Sequence, residues 1–487
     1  MKKFMSVILG VFLISCMNAQ WSVDYLHTAG SGLAGIGVAD EAVFTNGTEW
    51  NIFDVSTGDH TFGNLAVSRS MFEVVAAGEK VYIGGGKYGS FADPQYTKTV
   101  DVYDNATDTW STLNLKVQRE VGGSGTIGNK VFFAGGTGRS DISGPVYMYN
   151  TVDIFDVTTN ARTTGKLSQK RSNIAVGAAA NKIVFAGGWY WNPYYMTVQS
   201  NRADIYDVTT GVWTRYTLSA KREDMAVAVI GNKIIFAGGW GVAGPTNKVD
   251  IYDAATNVWT TGNLSLARYA MQSTVIGDQA FFAGGVGGGN TIEVYNATMN
   301  SWSTISIPTT VTRFDMTSLN DELYIAGGLD AANVETDLVQ IYNTLSGTWS
   351  NAYLSEARYD ISTISVANHV LFAGGINGYV YPTYTTTTTV DIYAAPLRLA
   401  AMSDSEAQEL DITIFPNPTN RQITIHADMY NLPANMIIYD LNGQAIMQII
   451  LMNEETVIDV AGFPAGMYLI AATDNRGNVY QTKFSKY

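Results

Sequence analysis

The sequence predicts an all-β fold, a ring of repeated four-stranded sheets followed by a small β-sandwich. Three observations predict it. A short apolar run ending in two glycines recurs seven times, at Gly84–Gly85, Gly135–Gly136, Gly187–Gly188, Gly238–Gly239, Gly284–Gly285, Gly327–Gly328 and Gly374–Gly375, at intervals of 43 to 52 residues. A tyrosine and a tryptophan recur in phase, seven residues apart. The period stops after Pro396, where short alternating strands with different turns begin. A repeat of this length made only of strand signals indicates blades around an axis, not a helical solenoid. The composition agrees: 487 residues with 48 glycines and 28 tyrosines but only 15% charged residues, a poor match to a helical cytoplasmic enzyme.

Residues 1–19 read as an export leader. Lys2 and Lys3 form a positive start, Phe4 to Ile14 an apolar stretch, and Ala19 a cleavage position before Gln20. Leu13 to Cys16, LISC, resembles the lipobox of bacterial lipoproteins, so cleavage after Ala19 and lipidation of Cys16 both stand as outcomes. Cys16 is the sole cysteine, which excludes an intramolecular disulfide. No later stretch is long and apolar enough to span a bilayer, so no transmembrane segment is expected in the mature chain.

Each period holds four strand candidates. In residues 218–259 these are Met225 to Ile230, the KIIFAGG run, KVDIYD near Asp253, and the segment around Trp259. The second is apolar on both faces, as expected for a strand sandwiched between neighbouring blades. The pairs Tyr103/Trp110, Tyr206/Trp213, Tyr252/Trp259, Tyr295/Trp302 and Tyr342/Trp349 fall on adjacent antiparallel strands, where large rings fill the wedge between blades. Phe155 with Arg162, and Phe53 with His60, take these places in two units. The last unit reaches Tyr393 without a tryptophan strand. The segment around Trp21 is the candidate for it, which would close the ring and remove free edges. The count favours eight units and admits seven if residues 26–60 are irregular.

A strand ending in Gly-Gly, then Tyr, then Trp resembles the kelch repeat, a four-stranded propeller blade. The resemblance covers about residues 21–396 and implies a kelch-like β-propeller over 20–396. Kelch propellers mostly have six or seven blades, so eight departs from the common pattern. Residues 397–410 read as a linker of mixed charge. The segment 411–487 reads as a β-sandwich with a tight turn at Asn442–Gly443. It resembles the C-terminal sorting domain of type IX secretion substrates in Bacteroidetes-type bacteria. The matching parts are Phe415-Pro-Asn-Pro418, the IYDLNG segment, Pro464-Ala-Gly-Met-Tyr468, Lys483 and Lys486. That resemblance implies passage through outer-membrane secretion machinery to the cell surface or the medium, commonly with removal of the module. An accessory adhesive sandwich is the plainer reading.

Charge and residue inventory narrow the function. A net charge of −14 with no basic block disfavours nucleic acid. The four histidines, His27, His60, His369 and His426, lie in separate units without metal-ligand spacing, so no metal or cofactor is expected. Copper-radical kelch oxidases need a cysteine and a histidine pair, and the only cysteine lies in the leader. Arginine is the patterned polar residue: Arg69, Arg119, Arg171, Arg222, Arg268, Arg313 and Arg358 precede the first strands of successive units. These arginines either bond carbonyls and carboxylates in the next blade, or form an anion cradle in which Arg171, Arg222 and Arg268 are candidates. The loops after Gly-Gly share their face and differ between units. They carry Tyr88, Phe91 and Tyr96; Tyr147 and Tyr149; Trp189, Tyr190, Trp191, Tyr194 and Tyr195; Trp240; and Tyr379, Tyr381 and Tyr384. Such aromatics either cover blade edges or bind a sugar or protein. The leading expectation is a secreted or surface-displayed, non-enzymatic propeller that binds an extracellular glycan or protein through this face. The alternatives are a metal-independent enzyme resembling kelch propellers that interconvert sialic-acid anomers, with Arg222 and Glu223 as candidates, and a purely structural or adhesive surface component.

Overall fold

The computed structural model describes residues 20–90, 93–140, 144–380, 383–395, 413–426, 434–439, 445–473 and 479–487. The leader with Cys16, the linker 397–410, Phe91, Tyr381 and the Asn442–Gly443 turn lie outside the described residues. The chain divides into two compact units, one of them Gln20–Ala395 and the other holding Pro396–Tyr487.

In the first unit, the described residues form eight four-stranded antiparallel sheets, with small hairpins between them. Their first strands, which number sheets 1 to 8, are Ala34–Val38, Glu73–Ala77, Gly123–Ile127, Ala175–Ala179, Ala226–Ile230, Gln272–Ile276, Asp315–Leu319 and Ser362–Val366. Each first strand packs against that of the next sheet, and that of sheet 8 packs against that of sheet 1. Sheet 8 takes its fourth strand from the other end of the unit. Gln20–Tyr25 pairs with Thr389–Ala394 and sets Trp21 opposite Tyr393, with their rings 5.0 Å apart.

The second strands show why the sheets stack. In Lys182–Ala186 only the lysine touches solvent and Ile-Val-Phe-Ala is buried, and all eight second strands repeat this pattern. Both faces are covered because each core cluster draws on two sheets, as where Ala186 and Ile205 meet Phe236 and Tyr252. A fully buried Phe185 contributes roughly 2–3 kcal/mol. The tyrosine–tryptophan pairs are cross-strand neighbours, Tyr206 opposite Trp213 at 4.9 Å and Tyr252 opposite Trp259 at 4.8 Å. They also bridge sheets: Trp259 stacks flat on Tyr216 of sheet 4 at 4.3 Å. Phe53 lies opposite His60 and Phe155 opposite Arg162, in the places the spacing gave them.

The second unit has two sheets. One orders Thr413–Phe415, Gln422–His426 and Glu455–Asp459; the other orders Ala445–Leu451, Ala434–Tyr439, Gly466–Thr473 and Val479–Lys486. Ile423, Ile425 and Ile458 from the first meet Met436, Ile438, Ile470 and Phe484 from the second. The Phe-Pro-Asn-Pro motif clamps the final strand. Asn417 Nδ2 donates to the Lys483 carbonyl at 3.0 Å, and its Oδ1 accepts from the Ser485 amide at 2.9 Å. Tyr468 closes the PAGMY turn by donating from its hydroxyl to the Pro464 carbonyl at 2.7 Å.

Candidate functional site

The arginine set is built into the joints between sheets. Arg171 Nη2 donates to the Phe185 carbonyl at 2.7 Å and to Asp204 Oδ2 at 2.8 Å. The same arrangement joins Arg69 to Asp101, Arg119 to Asp153, Arg222 to Asp250, Arg268 to Glu293 and Arg358 to Asp391; all six arginine side chains have no exposed surface. The acid sits on the third strand of the sheet the arginine leads into, and it also accepts from a backbone amide three residues before that arginine, as with Ser168 on Asp204. The arginine backbone faces the preceding sheet. The Arg222 carbonyl accepts from the Gly188 amide at 3.0 Å, while a Cβ on Gly187 would stand 2.5 Å from that oxygen. Close approach and φ of +61° and +88° therefore require the glycine pair. One residue thus ties two sheets, by its backbone to one and its side chain to the other. Burial pulls Arg171 and Arg222 down to about 10, offset by their aspartates, so both stay charged at neutral pH.

This placement corrects the anion-cradle expectation for Arg171, Arg222 and Arg268. Their Nη1 and Nη2 atoms donate to carbonyls and carboxylates within the protein, their Nε atoms are buried without a partner, and no part of these side chains reaches solvent. It equally removes Arg222 as a solvent-facing group for sialic-acid chemistry. Two register readings also change. In IGGGK the pair in phase is Gly85–Gly86, with φ of +67° and +109°, not Gly84–Gly85. Arg313 is not a member of the buried series. The bridge from Thr312 to Leu329 matches that from Tyr269 to Val286, so Val311 takes the position of Arg268 and is buried. Arg313 lies two residues later, half exposed, with Asp360 and over the Tyr359 ring at 4.5 Å.

The aromatic loops behave differently. Trp189–Trp191 forms a hairpin with Thr197–Gln199, closed by a turn in which Asn192 Oδ1 accepts from the Tyr194 and Met196 amides. Trp189 and Trp191 are half-buried with ring centroids 6.0 Å apart, and Tyr190 is also half-buried. Tyr194 and Tyr195 are 81% and 83% exposed. Trp240, in the next sheet, is 37% exposed and meets Tyr269 edge-on at 4.9 Å. Elsewhere on the loops, Tyr88, Tyr147 and Tyr384 are exposed, whereas Tyr96 is buried.

A polar network joins the two tryptophan hairpins. Gln199 lies opposite Trp189, and Glu223 lies opposite Trp240. Gln199 Nε2 donates to Glu223 Oε1 at 3.1 Å; Asn173 Nδ2 donates to Glu223 Oε2 at 3.1 Å and to Asp224 Oδ1 at 2.6 Å. Sequence reasoning singled out Glu223 and Asp224 as acidic neighbours of Arg222 and missed Asn173 and Gln199. Their signal is weak, since Asn173 and Asp224 share only a position two residues after the buried arginine, with φ near +50°. Two further carboxyls start inner strands. Glu73 accepts from Ser124 Oγ at 2.6 Å, and Asp315 accepts from the Thr363 amide and hydroxyl at 2.6 and 2.9 Å. Burial pushes both above the ordinary carboxylate range. Two cavities lie away from the hairpins. One, of about 520 Å³, is lined by Lys182, Arg215, Tyr216 and Trp259, and one, of about 220 Å³, lies between Asp24, Asp59 and His369.

Comparisons with known proteins place the chain. Residues 71–288 match the KLHDC2/KLHL20/DRC7 Kelch-repeats domain, residues 311–352 the Kelch motif, and residues 413–486 the Secretion system C-terminal sorting domain. No curated protein matches the chain at the significance threshold. Among solved structures, one titled "Structure of YjhT" is 15% identical and aligns over 58% of this chain and 99% of its own, with a TM-score of 0.41. Kelch-repeat domains and a type IX secretion sorting domain are therefore present in the chain. It is a secreted kelch-repeat β-sheet protein, and its sorting domain supports export to the cell surface or the extracellular space.

Proposed function

We propose that residues 20–396 form a closed eight-bladed propeller that binds an extracellular glycan or protein through the face bearing the tryptophan hairpins, without catalysis. In this reading residues 1–19 are the leader, 397–410 the linker and 411–487 the module handled by the outer-membrane secretion machinery. Closure is supported by the pairing of Gln20–Tyr25 with Thr389–Ala394 and by the packing of sheet 8 on sheet 1. The observation that carries the binding reading is the Trp189–Gln199 hairpin. It departs from the repeat, and it leaves Tyr194 and Tyr195 in solvent next to two tryptophans and within one sheet of Trp240. Large half-exposed rings held on a rigid hairpin give contact area at little entropic cost. The test is binding of the full chain to immobilised glycans and extracellular proteins. The triple substitution Trp189→Ala, Trp191→Ala, Trp240→Ala abolishes binding with the circular dichroism unchanged. Unaltered affinity in a folded triple variant sinks the proposal.

A further inference from the structure

We infer that the ligand is a glycan rather than a protein, and one built of neutral or amino-bearing sugars rather than acidic ones. The inference rests on the binding reading above and names its ligand class. Two facts fix the sign of the charge. First, the arginines that the sequence places on this face are sealed inside the sheets, with no exposed side-chain surface on Arg171, Arg222 or Arg268. An acidic polymer therefore finds none of their guanidinium groups. Second, the side chains that join the two hairpins are two carboxylates and two amides, Glu223, Asp224, Asn173 and Gln199. Around the loop face further carboxylates recur at Glu120 and Asp360, each already beside a cation, Lys87 and Arg313. The basic groups nearest in sequence are Lys221, exposed and two residues from Glu223, and Lys170, exposed and three residues from Asn173.

The same residues favour sugar over protein. Planar carboxylate and amide groups offer paired acceptors and donors to vicinal hydroxyls, while an indole face takes the apolar face of a pyranose ring. Here both kinds occur together. Glu223 stands between Gln199, opposite Trp189, and Trp240 of the next sheet. Asn173 and Gln199 each hold one Glu223 oxygen, which fixes the carboxylate plane before any ligand arrives. A sugar hydroxyl or an ammonium group would complete the second lone pair of those oxygens. A uronate or sialate would bring a second negative charge against Glu223 and Asp224.

The experiment compares binding of the full chain to three immobilised polymers: a neutral β-glucan, a glucosamine polymer at pH 6, and a polyuronate. The expected result is retention on the neutral or glucosamine surface at least tenfold stronger than on the polyuronate, lost in Trp189→Ala. Glu223→Gln then lowers glucosamine-polymer binding severalfold more than it lowers β-glucan binding, with the thermal midpoint unchanged. Preference for the polyuronate, still lost in Trp189→Ala, overturns the charge inference and leaves the aromatic site standing. Retention of an extracellular protein instead of any of the three overturns the glycan inference. Absence of any retention by the folded chain removes the binding reading together with this one.

Discussion

Sheets 4 and 7 share one four-stranded plan but fill the same interior position in opposite ways. Sheet 4 buries Arg171 against Asp204. Sheet 7 has Val311 in place of the arginine and Gln340 in place of the acid. Pro308 stands in the place of Ser168 and has no amide hydrogen, so Gln340 accepts instead from the next amide, Thr309, two residues before Val311, and returns a bond from Nε2 to the Thr309 carbonyl at 2.9 Å. Sheet 1 also lacks the charge pair. Gly30 stands where the arginine carbonyl would, accepting from Gly375, and Asn51 replaces the acid. The charge pair is thus exchanged as a unit. A lone buried guanidinium or carboxylate would be uncompensated, whereas a neutral amide keeps the backbone bond without needing a counter-ion.

The comparison breaks most visibly on sheet 2. Arg69→Val alone strands Asp101 and is expected to cost about 3–5 kcal/mol, read as a lower thermal midpoint and faster hydrogen exchange over residues 80–104. The double variant Arg69→Val with Asp101→Gln copies sheet 7 and is expected to recover most of that loss. If the double variant is as unstable as the single, the pair does not act as a unit. Next in size is the glycine joint. Gly187→Ala places a Cβ 2.5 Å from the Arg222 carbonyl at a φ of +61° and is expected to cost about 2 kcal/mol or more. Gly211→Ala shares the positive φ, but its nearest neighbour is 3.9 Å away; it is expected to cost about 1 kcal/mol. Equal losses would show that backbone conformation, and not the approach to the next sheet, is what the glycine pair serves.

The smallest effect is a dependence on pH that sets sheets 1 and 8 apart from sheets 2 and 7. His60 stacks on Phe53 at 4.1 Å, and burial, with His27 adding to it and Asp24 opposing, lowers it below 6.5. Burial likewise lowers His369, against Asp40. A depressed histidine leaves stability whole above the unfolded value near 6.5 and loses it as pH falls from there through the folded value. Glu73 and Asp315 are raised, so their sheets lose stability as pH climbs from the ordinary carboxylate value through the raised one. Protection against exchange, corrected for the pH dependence of the intrinsic rate and compared at pH 7.5 and 5.5, should therefore fall in sheets 1 and 8 on acidification, and His60→Asn with His369→Asn should remove the change. A loss of protection on acidification confined to sheets 2 and 7 would contradict the assignment.

The repeat was legible because each blade needs the same wedge filled. Tyr206 and Trp213 at a fixed spacing announce two strands and the rings between sheets, and Trp21 could be matched to the unit of Tyr393 because it lies five residues before Leu26, as Trp259 does before Leu264. The ion pairs were half legible. The arginines stood out, but their partners lie inside strands that read as apolar, such as Asp250 in KVDIYD, where the charge is visible only as an oddity. Arg313 misled because position along a loop does not reveal which residue turns inward; the absence of an acid at Gln340 was the available signal. The network of Asn173, Gln199 and Glu223 was not legible, because it joins loops of adjacent sheets whose approach depends on the packing itself.

The central claim is that repeated residues build the ring and the departure at Trp189–Gln199 binds. One experiment tests it most directly: ligand retention by two folded variants of the full chain, Trp189→Ala with Trp191→Ala, and Arg69→Val with Asp101→Gln. The account predicts that the tryptophan variant loses retention and the neutralised ion-pair variant keeps that of the parent. Retention kept by the first and lost by the second would contradict it.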